Sequence, residues 1–282
     1  MTEAAAARTR SLKVTATAVA WHERDVPVEM PVALVYDGST YAVMMASPTD
    51  LEDFAVGFSL SENVIAAPED IASLEVLTHD NGVELRMWLA EGRARDLVAR
   101  RRQIIGPTGC GLCGVESLDA VASAFATVES DVTFAAAEIE AALAALPPAQ
   151  VLNQQTHAVH GAGFWTAGQG LVAIAEDVGR HNALDKLIGG LKRRGVDVSR
   201  GIILLTSRVS VEMVQKAATA GAPVVVAVSA PTGLALKVAE AAGITLVAVA
   251  RKDGFEIFTH TQRIRGAGDV KPPQKERADH AA

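Results

Sequence analysis

Cys110 and Cys113 are the chain's two cysteines, three residues apart in the run Gly106-Pro-Thr-Gly-Cys-Gly-Leu-Cys-Gly114. Two cysteines cannot build a four-thiolate zinc site within one chain, and no histidines stand at the spacing that would complete a two-cysteine, two-histidine site. The pair therefore points to thiol chemistry or to a metal held between chains. One thiol chemistry is a thioredoxin-like redox couple, which belongs at a helix start after a strand. The other is sulfur transfer, in which a thiolate attacks sulfur on a donor, holds it as a terminal S–S group and releases it to an acceptor. Four glycines in nine residues cannot hold a helix, so a mobile loop is expected here. That suits a thiol visiting first a donor protein and then a buried ligand. A helix beginning near Val115 and the cluster Arg93, Arg95, Arg100, Arg101 and Arg102 would raise the thiolate fraction. The same arginines also read as the solvated face of a helix.

A second set of chemistry-bearing residues sits where apolar runs end. Strands fit at 170–175, 201–206, 223–228 and 244–250, and helices at 182–194, 209–220 and 233–242. Continuous Val, Ile and Leu strands alternating with helices predict a largely parallel sheet covered on both faces. Such sheets bind ligands at the carboxyl ends of their strands. Those ends carry Glu176-Asp177, Thr206-Ser207-Arg208 and Ser229-Ala-Pro-Thr232. Arg180 and His181 open the next helix, where backbone amides favour anions and a guanidinium can grip a phosphate. Asn182 reads as that helix's cap. Asp177 is a candidate for hydrogen bonding a ligand there. Arg208 is a candidate for phosphate. Ser207, Ser229 and Thr232 are candidate ligand contacts whose hydroxyls also read as caps of the following helices, the two readings weighing equally for Ser229 and Thr232. Glu212 and Lys216, four apart, read as a helix-surface ion pair, and Lys186 is ambiguous in the same way.

The elements before these are strands and then a helix. Runs at 31–36 and 40–45 flank Asp37-Gly38, a strong hairpin signal. Residues 50–62 have helical spacing, and 73–78 with 83–89 form another strand pair turning at Asp80-Asn81-Gly82. Helices are expected at 118–128 and 135–146, the second stopped by Pro147-Pro148. A last strand fits 255–260. A domain boundary falls near Ser130, between an N-terminal α+β domain (13–130) and a three-layer α/β domain (131–264). Residues 1–12 and 265–282 lack apolar periodicity and read as a disordered arm and tail.

Composition narrows the function classes. The chain has 282 residues, 49% apolar and 21% charged, with few aromatics (4%), so its core must be built from small and β-branched side chains. A net charge of −7 argues against a general nucleic-acid binder. No apolar run reaches the ~18 residues of a membrane span, the N-terminus has no secretory h-region, and two cysteines make no disulfide scaffold. A reducing, cytoplasmic setting is expected.

Four motifs in order resemble the formate dehydrogenase accessory sulfurtransferase family. They are Gly109-Cys-Gly-Leu-Cys-Gly114, Glu176-Asp-Val-Gly-Arg-His-Asn-Ala-Leu-Asp-Lys-Leu-Ile188, Ser207-Arg-Val-Ser-Val-Glu-Met-Val-Gln-Lys-Ala217 and Ser229-Ala-Pro-Thr232. With the hairpin and Leu51-Glu-Asp-Phe-Ala-Val-Gly-Phe58, the likeness spans about 15–265. It implies sulfur passing from a cysteine desulfurase through the C-x-x-C, with Cys110 favoured as the essential thiol and Cys113 assisting. The acceptor implied is the molybdenum of a bis(molybdopterin guanine dinucleotide) cofactor, bound as substrate with a GDP-like nucleotide as its analogue, before insertion into the catalytic subunit of formate dehydrogenase. No permanently bound cofactor is implied. The resemblance also implies a homodimer, a second domain similar in fold to cytidine deaminases, and cofactor contacts from Phe258, Thr259, His260, Thr261, Gln262 and Arg263, and it makes the cofactor's guanine the ligand that Asp177 would hydrogen bond. The deaminase zinc signatures are missing, which argues against deamination. Where the family reads Thr-Gly-Gly-x-His, this chain has Thr156-His157-Ala158-Val159-His160, keeping the terminal His160 and losing both glycines. A non-covalent cofactor chaperone is the competing class, and a nucleotide-modifying enzyme of deaminase ancestry is a third.

Overall fold

The computed structural model describes residues 4–90, 126–251 and 253–267. Cys110, Cys113, their glycine-rich loop, the arginines at 93–102, most of the helix expected over 118–128 and the tail from 268 lie outside the described residues.

Three sheets organise the chain. The first is an antiparallel ribbon of β1 (Ala6–Val14) and β2 (Val19–Pro27). It occupies most of what reads as a disordered arm. Arg8 lies opposite Asp25 and bonds it at 3.1 Å, while Leu12 lies opposite Trp21. Almost no residue of the ribbon is buried, so its strands carry no alternating apolar face to betray them.

The second sheet has the order β4-β3-β6-β5, with β3 (Met30–Tyr36), β4 (Ser39–Ala46), β5 (Ile71–His79) and β6 (Gly82–Leu89). Asp37 and Gly38 both take positive φ, 48° and 74°, as a two-residue hairpin turn matching the strand twist requires. Its inner residues Val32, Leu34, Leu85 and Met87 are fully buried, as is Phe54 of α1 (Leu51–Ser61) in the same core.

The third sheet has the order β12-β11-β10-β9-β7-β8. Its strands are β7 (His160–Thr166), β8 (Gly170–Asp177), β9 (Ile202–Leu205), β10 (Val224–Ala227), β11 (Thr245–Arg251) and β12 (Gly254–Ile257). Only β9, β10 and β11 pair in parallel; β7, β8 and β12 join by antiparallel pairing. The sheet is mixed, not largely parallel. β7 escapes a pattern reading because Gly161 and Gly163 interrupt its apolar run. Those positions are small for a reason: a Cβ at Gly163 would lie 2.9 Å from Leu146 Cδ1, and one at Gly161 2.7 Å from Gln150 Nε2.

Helices cover both faces of this sheet. α2 (Ala136–Ala149) lies on one side with Ile139, Ala142 and Leu146 buried. It does not stop at Pro147-Pro148, which sit in its last turn. The side chain of Gln154, from α3 (Val151–Thr156), donates to both proline carbonyls at 2.9 and 3.0 Å and satisfies the helix end. On the other side lie α4 (Arg180–Arg193), α5 (Val211–Ala220) and α6 (Gly233–Ala241). Arg265, read from sequence as tail, bonds Glu138 at 2.6 Å and the Thr133 carbonyl at 3.1 Å.

One hydrophobic cluster runs from Leu34 and Phe54 through Leu187 to Ile203 and Leu246, so the chain on either side of residue 130 shares a core. Its tightest point is the crossing of α1 and α4, where Gly57 packs against the backbone of Asp185 and Gly189, and Gly189 against that of Asp53. Among the described residues no helix is long and apolar enough to cross a membrane.

Candidate functional site

The first residue of β7, His160, lies opposite the last of β8, Asp177, and β8 runs in the same direction as β9, β10 and β11. The strand-exit residues therefore share one end of the sheet: His160, Asp177, Arg180, His181, Ser207, Arg208, Ser229 and Thr232. Two loops there are joined by a bridge between Val209 and Pro231, with Thr232 N–H donating to the Val209 carbonyl at 2.9 Å. The Ser229 carbonyl accepts from Val249 N–H at 3.2 Å. Val249 has a φ of +52°, an outlier for a β-branched residue, at a register shift of β11.

Several of these residues have structural duties. Asp177 is wholly buried and ion-paired with Lys186 at 2.6 Å. Its Oδ2 also accepts from Ser47 N–H (2.9 Å), and its Oδ1 from Gly179 N–H (2.7 Å) and Asn182 Nδ2 (3.0 Å). Four donors saturate the carboxylate, so it has no place for a guanine. Lys186 Nζ bonds the Ser47 carbonyl as well (2.9 Å), which ties the β4–α1 connection to the end of the large sheet. Asn182 is not a cap: Gly179 caps α4, and Asn182 bonds Asp177 and the Met45 carbonyl. Thr232 is a cap, accepting from Ala235 N–H at 3.2 Å. The Ser207 hydroxyl donates to the Arg208 carbonyl, and Arg208 is exposed. Lys216 is no surface partner of Glu212. It is buried and bonds both oxygens of buried Asp185 (2.9 and 2.8 Å).

What remains is a group of buried atoms without hydrogen-bond partners: Arg180 Nε, His181 Nε2 and Ser210 Oγ. Ser210 is missed by the pattern reading; it stands at the cap position of α5 and makes no cap bond. Burial, then Arg180 and Lys216, push the His181 imidazole down to about 4. Burial and then Arg180 lower His160 as well. At pH 7 the site offers one guanidinium, neutral imidazole, a hydroxyl and the amides of a helix start without a side-chain cap. Unpaired buried polar atoms of this kind carry a desolvation cost, and at Arg180 and the helix amides an anion would relieve it.

A pH dependence follows. The unfolded chain, with an ordinary histidine near 6.5, takes up a proton before the folded chain does. Stability owed to neutral His181 is complete above about pH 6.5 and is lost as pH falls towards 4. His181→Asn should remove about 2 kcal/mol of the acid destabilisation, after allowance for the ring's partial exposure. Thermal melts from pH 7 to 4.5 check it: the variant's Tm should fall less steeply than that of the wild type.

The 258–263 segment does not join this group within one chain. β12 is the far edge strand from β8 and runs back towards the amino ends of the parallel strands. Thr259 Oγ1 donates to the Ile244 carbonyl and accepts from Leu246 N–H. Buried Arg263 bonds the carbonyls of Gly243 and Ser130 and the Thr245 hydroxyl. Phe258 packs against the main core. His260, Thr261 and Gln262 face solvent wholly or in part, although His260 Nε2 lies 2.8 Å from the Glu240 carbonyl. Among the described residues, no three His, Cys, Asp or Glu side chains could together hold a metal ion.

Comparison with known proteins places the chain. The model of the FdhD/NarQ family matches residues 27–265. The sulfur carrier protein FdhD of Agrobacterium fabrum is 53% identical over 245 residues, 86% of this chain and 90% of that protein. Its counterpart in Brucella abortus is 52% identical over 242 residues, with the same two shares. A crystal structure assigned as a formate dehydrogenase accessory protein from Desulfotalea psychrophila superimposes with a TM-score of 0.74 at 26% identity, covering 93% of this chain and all of that one. The mixed α/β fold with several sheets is shared with that structure, and the chain belongs to the FdhD/NarQ family.

Proposed function

We propose that this protein is a sulfurtransferase that activates formate dehydrogenase by carrying sulfur to its molybdenum cofactor. A thiolate of the C-x-x-C, with Cys110 favoured, attacks the outer sulfur of a persulfide on a cysteine desulfurase. The donor's S–S bond breaks, its cysteine leaves as thiolate, and the new persulfide holds the sulfur for the cofactor. Cys113 assists or resolves that persulfide. The acceptor, bis(molybdopterin guanine dinucleotide) molybdenum, is substrate and not a resident group. The loaded cofactor passes to the formate dehydrogenase catalytic subunit, and the carrier works in the cytoplasm as a homodimer. The part at 131–264 is read as cytidine deaminase-like without the deaminase zinc residues.

The observation that carries the ligand half of this reading is a set of unpartnered buried polar atoms at this end of the sheet, Arg180 Nε and His181 Nε2 in the first turn of α4 and Ser210 Oγ at the cap of α5. They suit a phosphate of the guanine dinucleotide, with His160, Arg208 and Ser229 at the same end. His260, Thr261 and Gln262 remain candidates for a separate stretch of the cofactor. The names of the relatives and of the structural neighbour support the sulfur half. Replacing Cys110 and Cys113 together by alanine should abolish maturation of active formate dehydrogenase while GDP binding, followed by calorimetry, stays within about twofold of wild type. Normal enzyme activity with the double variant would replace this reading with that of a non-covalent cofactor chaperone.

A further inference from the structure

The β1–β2 ribbon stands off the body of the protein. Its base packs on α3, where Arg24 donates to the Thr156 carbonyl at 3.3 Å, and nearly every residue beyond is exposed. The pairing sets Leu12 opposite Trp21 and Val14 opposite Val19. Because side chains alternate along a strand, these four share one face at the tip. All are open to solvent, Trp21 at 71%. A two-stranded ribbon is marginal in water without a further layer, and a contiguous exposed apolar patch marks an interaction surface.

The same chain carries a second such patch. The outer face of the β4-β3-β6-β5 sheet, turned away from α1, presents Val43 (60% exposed) and Met45 (47%) on β4 beside exposed Pro31 on β3. Pro31 lies opposite Met45 and Ala33 opposite both Val43 and Glu84, so these positions lie on one face. The Glu84–Arg86 ion pair on β6 borders it, with Glu84 opposite Ala33. Both patches are open, so the ribbon of a chain does not cover its own sheet.

Charge favours a second copy as the occupant. Residues 6–27 carry Arg8, Arg10, Lys13 and Arg24 against Glu23 and Asp25, four minus two, a net +2; with −7 for the whole chain, the remainder is −9. A basic arm with an apolar tip matches an acidic body with an apolar face. Two-fold exchange closes both patches at once and leaves no open end for further growth.

We propose that the ribbon is an exchange arm: two copies associate about a two-fold axis, each seating its Leu12–Val14–Val19–Trp21 tip on the Pro31–Val43–Met45 face of the other. The homodimer comes from the functional reading above; the surfaces are the addition, and they ask nothing of the cysteines. The test is light scattering after gel filtration, over a range of concentrations, on the full chain and two exposed-surface variants. One is Leu12→Ser with Trp21→Ser on the arm; the other is Val43→Ser with Met45→Ser on the receiving face. The wild type should be a dimer, and each variant should dissociate at least about 100-fold more readily while melting like the wild type. A wild-type dimer that both variants retain would overturn the exchange arm and leave the homodimer standing. A monomeric wild type would overturn both, without touching the sulfur chemistry. A benzophenone amino acid at position 21 should crosslink to the peptide holding Val43 and Met45 in another copy; crosslinking elsewhere also counts against the arm.

Discussion

Gly57→Ala is expected to cost about 4 kcal/mol or more and to lower the melting temperature by about 10 °C or more. A Cβ there would lie 1.7 Å from the carbonyl oxygen of Asp185 and 2.9 Å from Gly189 N. Both neighbours are backbone, so no rotamer change makes room; the two helices must part. From the other side, a Cβ on Gly189 would lie 1.9 Å from the Asp53 carbonyl oxygen. Three glycines inside these helices, Gly57, Gly189 and Gly190, each cost roughly 1 kcal/mol in helix propensity. The close approach they permit packs the α1 layer directly on α4, and through α4 the small sheet on the large one. Circular dichroism melts check the effect. Gly233→Ala serves as control, since nothing lies within 4 Å of its Cβ position, and it should melt within a few degrees of wild type. A Gly57→Ala protein melting with that control would contradict the account of the crossing.

Lys186→Met is expected to cost about 3–5 kcal/mol, because it leaves Asp177 charged, buried and without its cation. Both side chains are fully buried, so no water can take over the lysine's role. The amides of Ser47 and Gly179 still serve the carboxylate, which keeps the loss within that range. Adding Asp177→Asn to Lys186→Met should recover part of the loss, since a neutral amide no longer needs a counter-charge. Chemical denaturation of the three proteins measures the coupling. Purely additive losses would mean that the pair is not the unit holding this end of the sheet.

The strands and helices that could be read from sequence are those with one wet face and one dry face, or with a decisive turn. The Asp37-Gly38 hairpin, the helix at 51–61 and the alternation of strands and helices after residue 170 all carried such signals. The ribbon did not, because both its faces are wet. β7 did not, because glycines under Leu146 and Gln150 broke its apolar run. The sense of the pairing was not legible either: buried Val and Ile strands look alike whether their neighbour runs with or against them, so a mixed sheet passed for a largely parallel one.

At the site, the strand-exit rule did gather Arg180, His181, Ser207, Arg208 and Ser229 at one end. What it could not weigh was burial. Lys186 and Lys216 read as ambiguous or surface charges and proved to be buried ion-pair partners, and Asp177, read as a ligand contact, is saturated by its own protein. Distance was hidden as well. The 258–263 segment follows the same sheet in sequence, yet its antiparallel edge strand carries it to the opposite end.

The central claim is that a cysteine of Gly109-Cys-Gly-Leu-Cys-Gly114 holds transferable sulfur. The most direct measurement is intact-protein mass spectrometry after incubation with a cysteine desulfurase and cysteine, followed by peptide mapping. The account predicts a gain of about 32 Da, one sulfur atom, on the peptide carrying Cys110 and Cys113, lost again on addition of a thiol reductant. An unchanged mass with a desulfurase shown to be active, or a gain that persists when both cysteines are alanine, would contradict it.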